Sequence, residues 1–595
     1  MKNALKKINT CYPYIIIALS ALILLIRGMY SFCWSDETFY FSTVHRFFTG
    51  DSIFKHEWFP TQLSSVILLP FYALYYLIMG GNTGVILYFR IMFVVMSTVN
   101  SVIMFNILKQ HASVFTSLAC SISLMFYTHL NIATMSYYTM SVQLFLMSML
   151  LVYHYFRSLN RNHLIISGIL FAFSVLSLPT LSLAWLAIII VTGIIIYRSG
   201  RLAKGNEAAQ SADSSRLPEI LKYTFIGIVI PAALFFIYLL CTVSLSDFFR
   251  AVPYVLSDEE HGTSLIYPLQ KFFIGINEVF GYGAYAAYIL VIVTFAASFV
   301  KRFRNNTFYL LIFIADVILF IDLFICSLGH TGYIQTALCL FTLPLFFIQK
   351  KKDMKLFCTL VLSGLIFSLV YSYSSNGYLY VLSMGHFISS IGCILILEQF
   401  AKEMLPIKNT GSVFLVCSTA IICACLVQTM TLRLVNIYRD APVQMLNFKI
   451  SYGPAKGLYT TADHYVAYNV VTSTIHKYCQ SGNLENTGSG TGTIFITRIL
   501  PFGYMCTDLK CAAPTTWRTP FNSERLEPYY TMNPDRYPDM ILVLNDEYGS
   551  YLSCGDIEAD PAPNENEIGG YLLDYVNRND YEIKTVPCGT LYKRK

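Results

Sequence analysis

The sequence predicts a mainly α, polytopic membrane protein with a small α/β domain at its C-terminal end. Three observations carry that expectation. Apolar runs of about 18 residues or more, each long enough to cross a bilayer, recur through residues 1–430 of the 595. Hydrophobic residues make up 55% of the chain and charged residues 13%, against about 25% charged in an ordinary soluble domain. Beyond residue 430 the texture changes to Pro, Gly, Asn and Asp around short apolar runs. The net charge of +6 is dispersed between apolar segments. It therefore describes topology rather than a nucleic-acid surface, and no nucleic-acid partner is expected.

Spans are expected near 13–30, 85–107, 112–130, 138–156, 163–179, 181–197, 223–243, 283–300, 307–328, 331–348, 355–373, 378–398 and 411–430, about thirteen in all. Lys2, Lys6 and Lys7 ahead of the first run imitate a signal peptide. The small-residue cleavage pattern is missing and Arg27 sits late in the run, so an uncleaved helix is expected. Lys and Arg concentrate in alternate connections, such as Arg198–Lys222, Lys301–Arg304 and Lys350–Lys355. The opposite connections hold only Arg46, Lys55, Arg250 and Lys271, with Arg90 at a helix end. The positive-inside rule then puts the N-terminus in the cytoplasm, and residues 31–84 and 431–595 outside the cell membrane. The stretch 61–80 is apolar too, but counting it as a span would invert every later loop. It is expected as a helix lying in the outer interface, a depth that suits its tyrosines.

The chain thus divides into a membrane module, 1–430, and an exterior domain, 431–595. In the exterior part, 493–500 and 539–545 read as buried strands and 470–478 and 571–578 as helices. A last strand pair, 581–593, turns around Cys588-Gly589, and 481–492 is a Gly/Ser/Asn loop. That alternation suggests an α/β domain. Among 16 cysteines, the outer ones are Cys33, Cys479, Cys506, Cys511, Cys554 and Cys588. One or two disulfides are expected there, with Cys506 and Cys511 closest in sequence. No His/Cys spacing resembles a zinc site.

Candidate chemistry concentrates in the first outer loop. Asp36 and Glu37, in the string Trp34-Ser35-Asp36-Glu37-Thr38-Phe39-Tyr40, directly follow the first apolar helix. Carboxylates at a helix start are favoured by the helix dipole, which needs no function. The functional alternative makes one of them a general base. Lys55, His56 and Glu57 precede the interfacial stretch, at the depth where a departing phosphate would need cations. Arg90 is a further candidate, or a snorkelling side chain. Asp258, Glu259, Glu260 and His261 form a second acidic cluster on the same side, a solvated face or an accessory site. His330 falls at an outer helix end. There is no P-loop and no G-x-G-x-x-G in a βαβ setting, so an activated donor would have to arrive in the membrane. Asp316 and Asp322, inside a span, hint at transport instead.

These features resemble the GT-C glycosyltransferases, and within them the branch of protein O-mannosyltransferases and bacterial lipid A aminoarabinose transferases. Asp36-Glu37-Thr38-Phe39-Tyr40, Pro60-Thr61-Gln62 and Arg90 carry the likeness, together with the span count, the interfacial helix and the exterior tail. The resemblance implies a polyprenyl-phosphate sugar as donor, transferred with inversion to an acceptor hydroxyl outside the cytoplasmic membrane, as in cell-envelope glycosylation. It implies Asp36 as base, Glu37 as orienting group, and Lys55, His56, Glu57 and Arg90 around the donor phosphate and sugar. The segment before the interfacial helix departs from the family pattern in having a single proline, Pro60. The acceptor is left open among glycan, lipid and protein. No cofactor is fixed by a motif, and a divalent metal stays open. Two rivals remain: a transporter or flippase of lipid-linked glycans, and a non-catalytic assembly protein built around the tail.

Overall fold

The computed structural model describes residues 2–190, 216–257, 267–300, 303, 305–330, 332–373, 375, 378–406, 411–484, 492–497, 499–517, 523–545, 548 and 570–595. The chain is mainly helical, with a small sheet near its C-terminal end. First come α1 (Lys2–Arg27), α2 (Asp36–Phe48), α3 (Leu63–Met79), α4 (Val85–Leu108), α5 (Val114–Phe126), α6 (Tyr137–Ser158) and α7 (Arg161–Ser177). Helices at Leu217–Thr242, Leu245–Leu256, Tyr267–Ala297, Asn306–Cys326, Tyr333–Ile348, Met354–Tyr371, Tyr378–Met404 and Gly411–Val435 follow. Among the described residues, nine helices are long and apolar enough to cross a membrane. Cys11–Arg27, Val114–Phe126, Arg161–Ser177, Leu181–Ile190 and Tyr333–Ile348 are apolar but shorter. The rest of the expected span 181–197 lies outside the described residues.

Pro60–Met79, expected as a helix in the outer interface, is helical, and it has the length and apolar composition of a span. Its Ser64, Ser65, Leu68 and Tyr72 are buried, on the side that meets α2, while Leu74, Leu77, Ile78 and Met79 are exposed. The helix expected at 283–300 begins sixteen residues earlier, at Tyr267. The apolar run before it is helical as well, and the two parts join across Gly281, whose φ of 51° only glycine adopts without penalty.

Small residues let the helices approach. α6 and α7 run antiparallel with serines seven apart on each. The Ser148 and Ser167 hydroxyls each donate to the other's carbonyl at 2.9 Å, and Ser174 donates to the Ser141 carbonyl at 3.0 Å. Each such bond contributes about 0.6 kcal/mol between membrane helices. α7 then meets Leu217–Thr242 at Gly168 and Gly227. A Cβ on Gly227 would stand 2.0 Å from the Ile165 carbonyl oxygen, so the contact admits no side chain.

The tail opens with the antiparallel pair β1 (Phe448–Lys449) and β2 (Tyr459–Thr460). β3 (Thr493–Ile496), β4 (Lys510–Cys511), β5 (Met540–Leu544), β6 (Tyr581–Val586) and β7 (Gly589–Arg594) then form a five-stranded sheet in the order β4-β3-β5-β7-β6. β3 lies parallel to β4 and β5, and β7 pairs antiparallel with both β5 and β6. β3 and β5 are buried on both faces, which explains their unbroken apolar runs. Helices at Ala462–Tyr478, Ser523–Met532 and Gly570–Arg578 pack around the sheet. Cys506 and Cys511, the disulfide pair nearest in sequence, are unbonded. Each thiol faces a nearby backbone carbonyl instead, Phe502 and Ala513 respectively.

The tail does not stand apart from the segment 31–84. Trp34 is fully buried against Phe32, Phe502 and Tyr468, with ring centroids 4.7, 5.3 and 6.0 Å away. Trp58 stacks on Tyr254 at 4.7 Å and meets Tyr529 edge-on at 5.2 Å. Loop and tail therefore share one hydrophobic core, and each buried indole contributes a few kcal/mol to the union.

Gly227→Val is expected to lower stability by about 1–3 kcal/mol or more, because a backbone carbonyl cannot move aside as a side chain can. A thermal unfolding midpoint measured on detergent-solubilised protein beside wild type checks this. Equal midpoints would contradict the close crossing.

Candidate functional site

The chain leaves α1 and is pinned to the tail before it enters α2. Ser31, at φ 89°, donates its N–H to the Tyr459 carbonyl at 2.9 Å, and Tyr459 donates to Met29 at 2.8 Å. Phe32 donates to the Asp440 carboxylate at 2.8 Å. Asp36 and Glu37 occupy the first turn of α2, where the helix dipole favours carboxylates. Successive helical residues point about 100° apart, so the pair diverges.

Glu37 turns towards α4. Its Oε1 and Oε2 accept from Arg90 Nε and Nη2 at 2.7 and 2.5 Å, a two-point pair with both side chains buried. Arg90 Nη1 also donates to the carbonyls of Gly28 and Ser31 at 2.8 and 3.1 Å. Arg90 is thus a structural clasp that gathers the loop, with its donors already engaged.

Asp36 turns the other way, towards the segment that follows the last long helix. Its Oδ2 accepts from the Tyr438 hydroxyl at 3.0 Å and the Ser35 hydroxyl at 3.2 Å, and pairs with Arg439 Nη1 at 3.0 Å. Asp36 and Arg439 keep 13% and 28% of their side-chain surface exposed, so both can meet a ligand. Arg439 has a φ of 50°, a conformation that costs a non-glycine residue of order 1 kcal/mol. Asp440 holds it there by accepting from Phe32 N–H, the Thr460 hydroxyl at 3.1 Å and His464 Nδ1 at 3.0 Å. Burial, with Asp36 and Glu37 adding to it, pushes the Cys33 thiol up to about 12, so it is no nucleophile. Burial and the Asp36 charge likewise hold the Tyr438 phenol protonated, as a donor.

The remaining sequence candidates fall elsewhere. Lys55 pairs with Asp247 at 3.2 Å. His56 Nδ1 accepts from the Ser52 N–H at 2.8 Å, and Glu57 pairs with Arg46 at 2.7 Å. Arg46 and Arg536 also grip Asp51 at 2.7 and 2.6 Å, all of it buried. That knot ties the loop to the tail, and no hydrogen bond or ion pair among the described residues joins it to Asp36. His330 stacks on Tyr333 at 4.8 Å, also without such a link to Asp36. Asp258, Glu259 and His261 lie outside the described residues. No three His, Cys, Asp or Glu among the described residues are placed to hold a metal ion.

Tyr438 and Arg439 are what sequence reasoning missed. The available signal was a Tyr-Arg-Asp string directly after the last long apolar run, on the side of the membrane expected for Asp36. The fold and site together define a mainly helical protein whose long apolar helices are compatible with a multi-pass membrane protein, with a partly exposed carboxylate held between its helices and its tail. No protein-family model matches the chain, and no curated protein sequence matches it.

Glu37→Gln leaves the Arg90 guanidinium buried without its counter-charge and is expected to cost about 3–5 kcal/mol of stability. Asp36→Asn, at a partly exposed position, is expected to cost under about 1 kcal/mol. Denaturation midpoints of the two variants check the division of labour, and equal losses would contradict it.

Burial lowers His45 and His56 from 6.5 to about 4. Each folded value lies below the unfolded one, so each contributes stability that is present above pH 6.5 and lost as the pH falls through 4, up to about 3 kcal/mol per group. His45→Gln is therefore expected to flatten the rise of unfolding free energy between pH 4 and 6.5. Parallel slopes for variant and wild type would refute this.

Proposed function

We propose that the chain is an integral membrane glycosyltransferase of the GT-C type. It would move a sugar from a polyprenyl-phosphate donor to an acceptor hydroxyl on the outer face of the cell membrane. The observation that carries this reading is Asp36: a partly exposed carboxylate at a helix start, with a phenol and a guanidinium on one of its oxygens. From the described residues, Oδ1 accepts no hydrogen bond, which leaves it for an acceptor hydroxyl. The reading keeps about thirteen spans, a cytoplasmic N-terminus and an extracytoplasmic tail. Pro60–Met79 then rests at the outer interface, with its exposed leucines in lipid.

In this mechanism Asp36 takes the proton of the acceptor hydroxyl as that oxygen attacks the anomeric carbon. The bond from that carbon to the phosphate oxygen breaks, polyprenyl phosphate leaves with the electron pair, and the sugar inverts. General-base assistance of this kind contributes about 10²–10⁴-fold. Arg439 neutralises the departing phosphate, the task first assigned to Lys55, His56 and Arg90, whose polar groups are engaged elsewhere. Glu37 holds α2 in place through Arg90. A second reading, a flippase for lipid-linked glycans, is favoured by Asp316, which is buried inside a long apolar helix with no hydrogen-bond partner on either oxygen among the described residues.

Sugar release from a radiolabelled polyprenyl-phosphate donor in proteoliposomes tests the reading. Asp36→Asn is expected to lose at least about 100-fold in turnover, and Arg439→Gln to lose less. Equal turnover of Asp36→Asn and wild type would end this assignment, and glycan movement without sugar release would favour the flippase.

A further inference from the structure

The helix Leu245–Leu256 begins just after the long apolar helix Leu217–Thr242 ends. At 12 residues it is too short to cross a bilayer. Val243 and Ser244 separate the two, and the Ser244 hydroxyl caps the new helix by accepting from the Asp247 N–H at 3.0 Å. Successive side chains turn by about 100°, which divides this helix into three sectors.

The first sector meets the protein. Asp247 pairs with Lys55 at 3.2 Å, Phe248 meets Phe54 edge-on at 4.8 Å, and Tyr254 stacks on Trp58 at 4.7 Å. Ala251 and Val255, on the same side, are buried. The second sector is polar: Ser246 and Arg250, one turn apart, are both exposed. The third, roughly 100° wide, holds only Leu245, Phe249, Val252, Pro253 and Leu256. Leu245, Phe249 and Leu256 keep 53, 69 and 72% of their surface exposed.

A helix on a water-facing surface needs two sectors, one for the core and one for water. A third that is apolar and faces neither calls for an apolar medium. Two observations name that medium. The preceding helix exposes Phe236, Ile237 and Leu240 towards its end, so exposed apolar side chains continue from a candidate membrane span into Leu245 and Phe249. The polar sector borders the apolar one, which puts the Arg250 guanidinium where headgroup phosphates would lie.

Resting on the membrane placement in the reading above, but not on its sugar chemistry, we propose that Leu245–Leu256 lies flat in the outer lipid–water interface. Its partner is the bilayer surface, with Leu245, Phe249 and Leu256 among the acyl chains and Arg250 among the phosphates. The protein-facing sector gives this anchor a purpose. Trp58 joins the helix to Tyr529 of the tail, and Arg525 donates to the Ser257 carbonyl at 3.2 Å just past the helix end. The helix therefore sets the height of the tail, and of the frame around Asp36, over the lipid surface.

Tryptophan at three exposed positions tests the anchor in nanodiscs. Phe249→Trp probes the apolar sector, Ser246→Trp the polar one, and Val229→Trp, at a position 44% exposed, the middle of the preceding helix. Emission added over wild type is read with lipids brominated near the headgroup or at the chain ends, and with acrylamide in the water. Phe249→Trp is expected to lose about half of its added emission to the bromines near the headgroup, from a depth of about 5–10 Å. Ser246→Trp is expected to respond to acrylamide alone, and Val229→Trp to bromines at the chain ends. Phe249→Trp quenched by acrylamide and not by bromine overturns the anchor. So does shielding from both, as a second copy of the chain would give, or equal bromine quenching of Phe249→Trp and Ser246→Trp. In those cases a quenched Val229→Trp leaves the glycosyltransferase reading standing. Bromine quenching of neither Val229→Trp nor Phe249→Trp overturns the membrane placement as well.

Discussion

The buried Glu37–Arg90 pair is the constraint from which the site follows. Two hydrogen bonds of 2.7 and 2.5 Å join the start of α2 to α4, and the same guanidinium collects the carbonyls that leave α1. A charge pair this deep gains little net stability over an apolar pair, but it is costly to break. Its value lies in direction. With Glu37 turned to α4, helix geometry turns Asp36 towards Tyr438 and Arg439. One of two adjacent carboxylates is spent on architecture so that the other is held at a partly open position.

A second constraint fixes the other wall. Asp440 accepts from the loop, from Thr460 and from His464, which keeps Arg439 in a left-handed conformation against Asp36. The tail can do this because it is welded to the loop through Trp34, Trp58 and the Arg46–Asp51–Arg536 knot. The C-terminal segment is therefore part of the site's frame. Its sheet stands behind the contact, and its first residues make it.

Much of the fold was legible in the chain because bilayer spans announce themselves by length and hydropathy. Residues 85–107, 223–243 and 411–430 lie within or close to helices of nearly those bounds. The buried strands β3 and β5 and the β6–β7 turn were legible for the same reason, as apolar runs between turn residues. Helix starts such as Tyr267 were less so, since an apolar run before Gly281 reads equally well as loop or helix. The site was half legible. Asp36-Glu37 stands out as paired charge at the end of an apolar run, but Lys55, His56 and Glu57 stand out for the same reason and belong to a packing knot. Tyr438 and Arg439 sit some 400 residues from Asp36 and share no local pattern with it.

By itself, the sequence determined a mainly helical chain with helices long and apolar enough to cross a membrane, a small sheet in its tail, and concentrated charge in the segment that follows the first apolar run. Hydrophobic periodicity and charge distribution are properties of local composition, and both are written along the chain. Only the tertiary structure decided which carboxylate is clasped and which is partly open, and which cations are engaged. Those outcomes depend on what each side chain meets across the fold, and no local pattern encodes a partner hundreds of residues away.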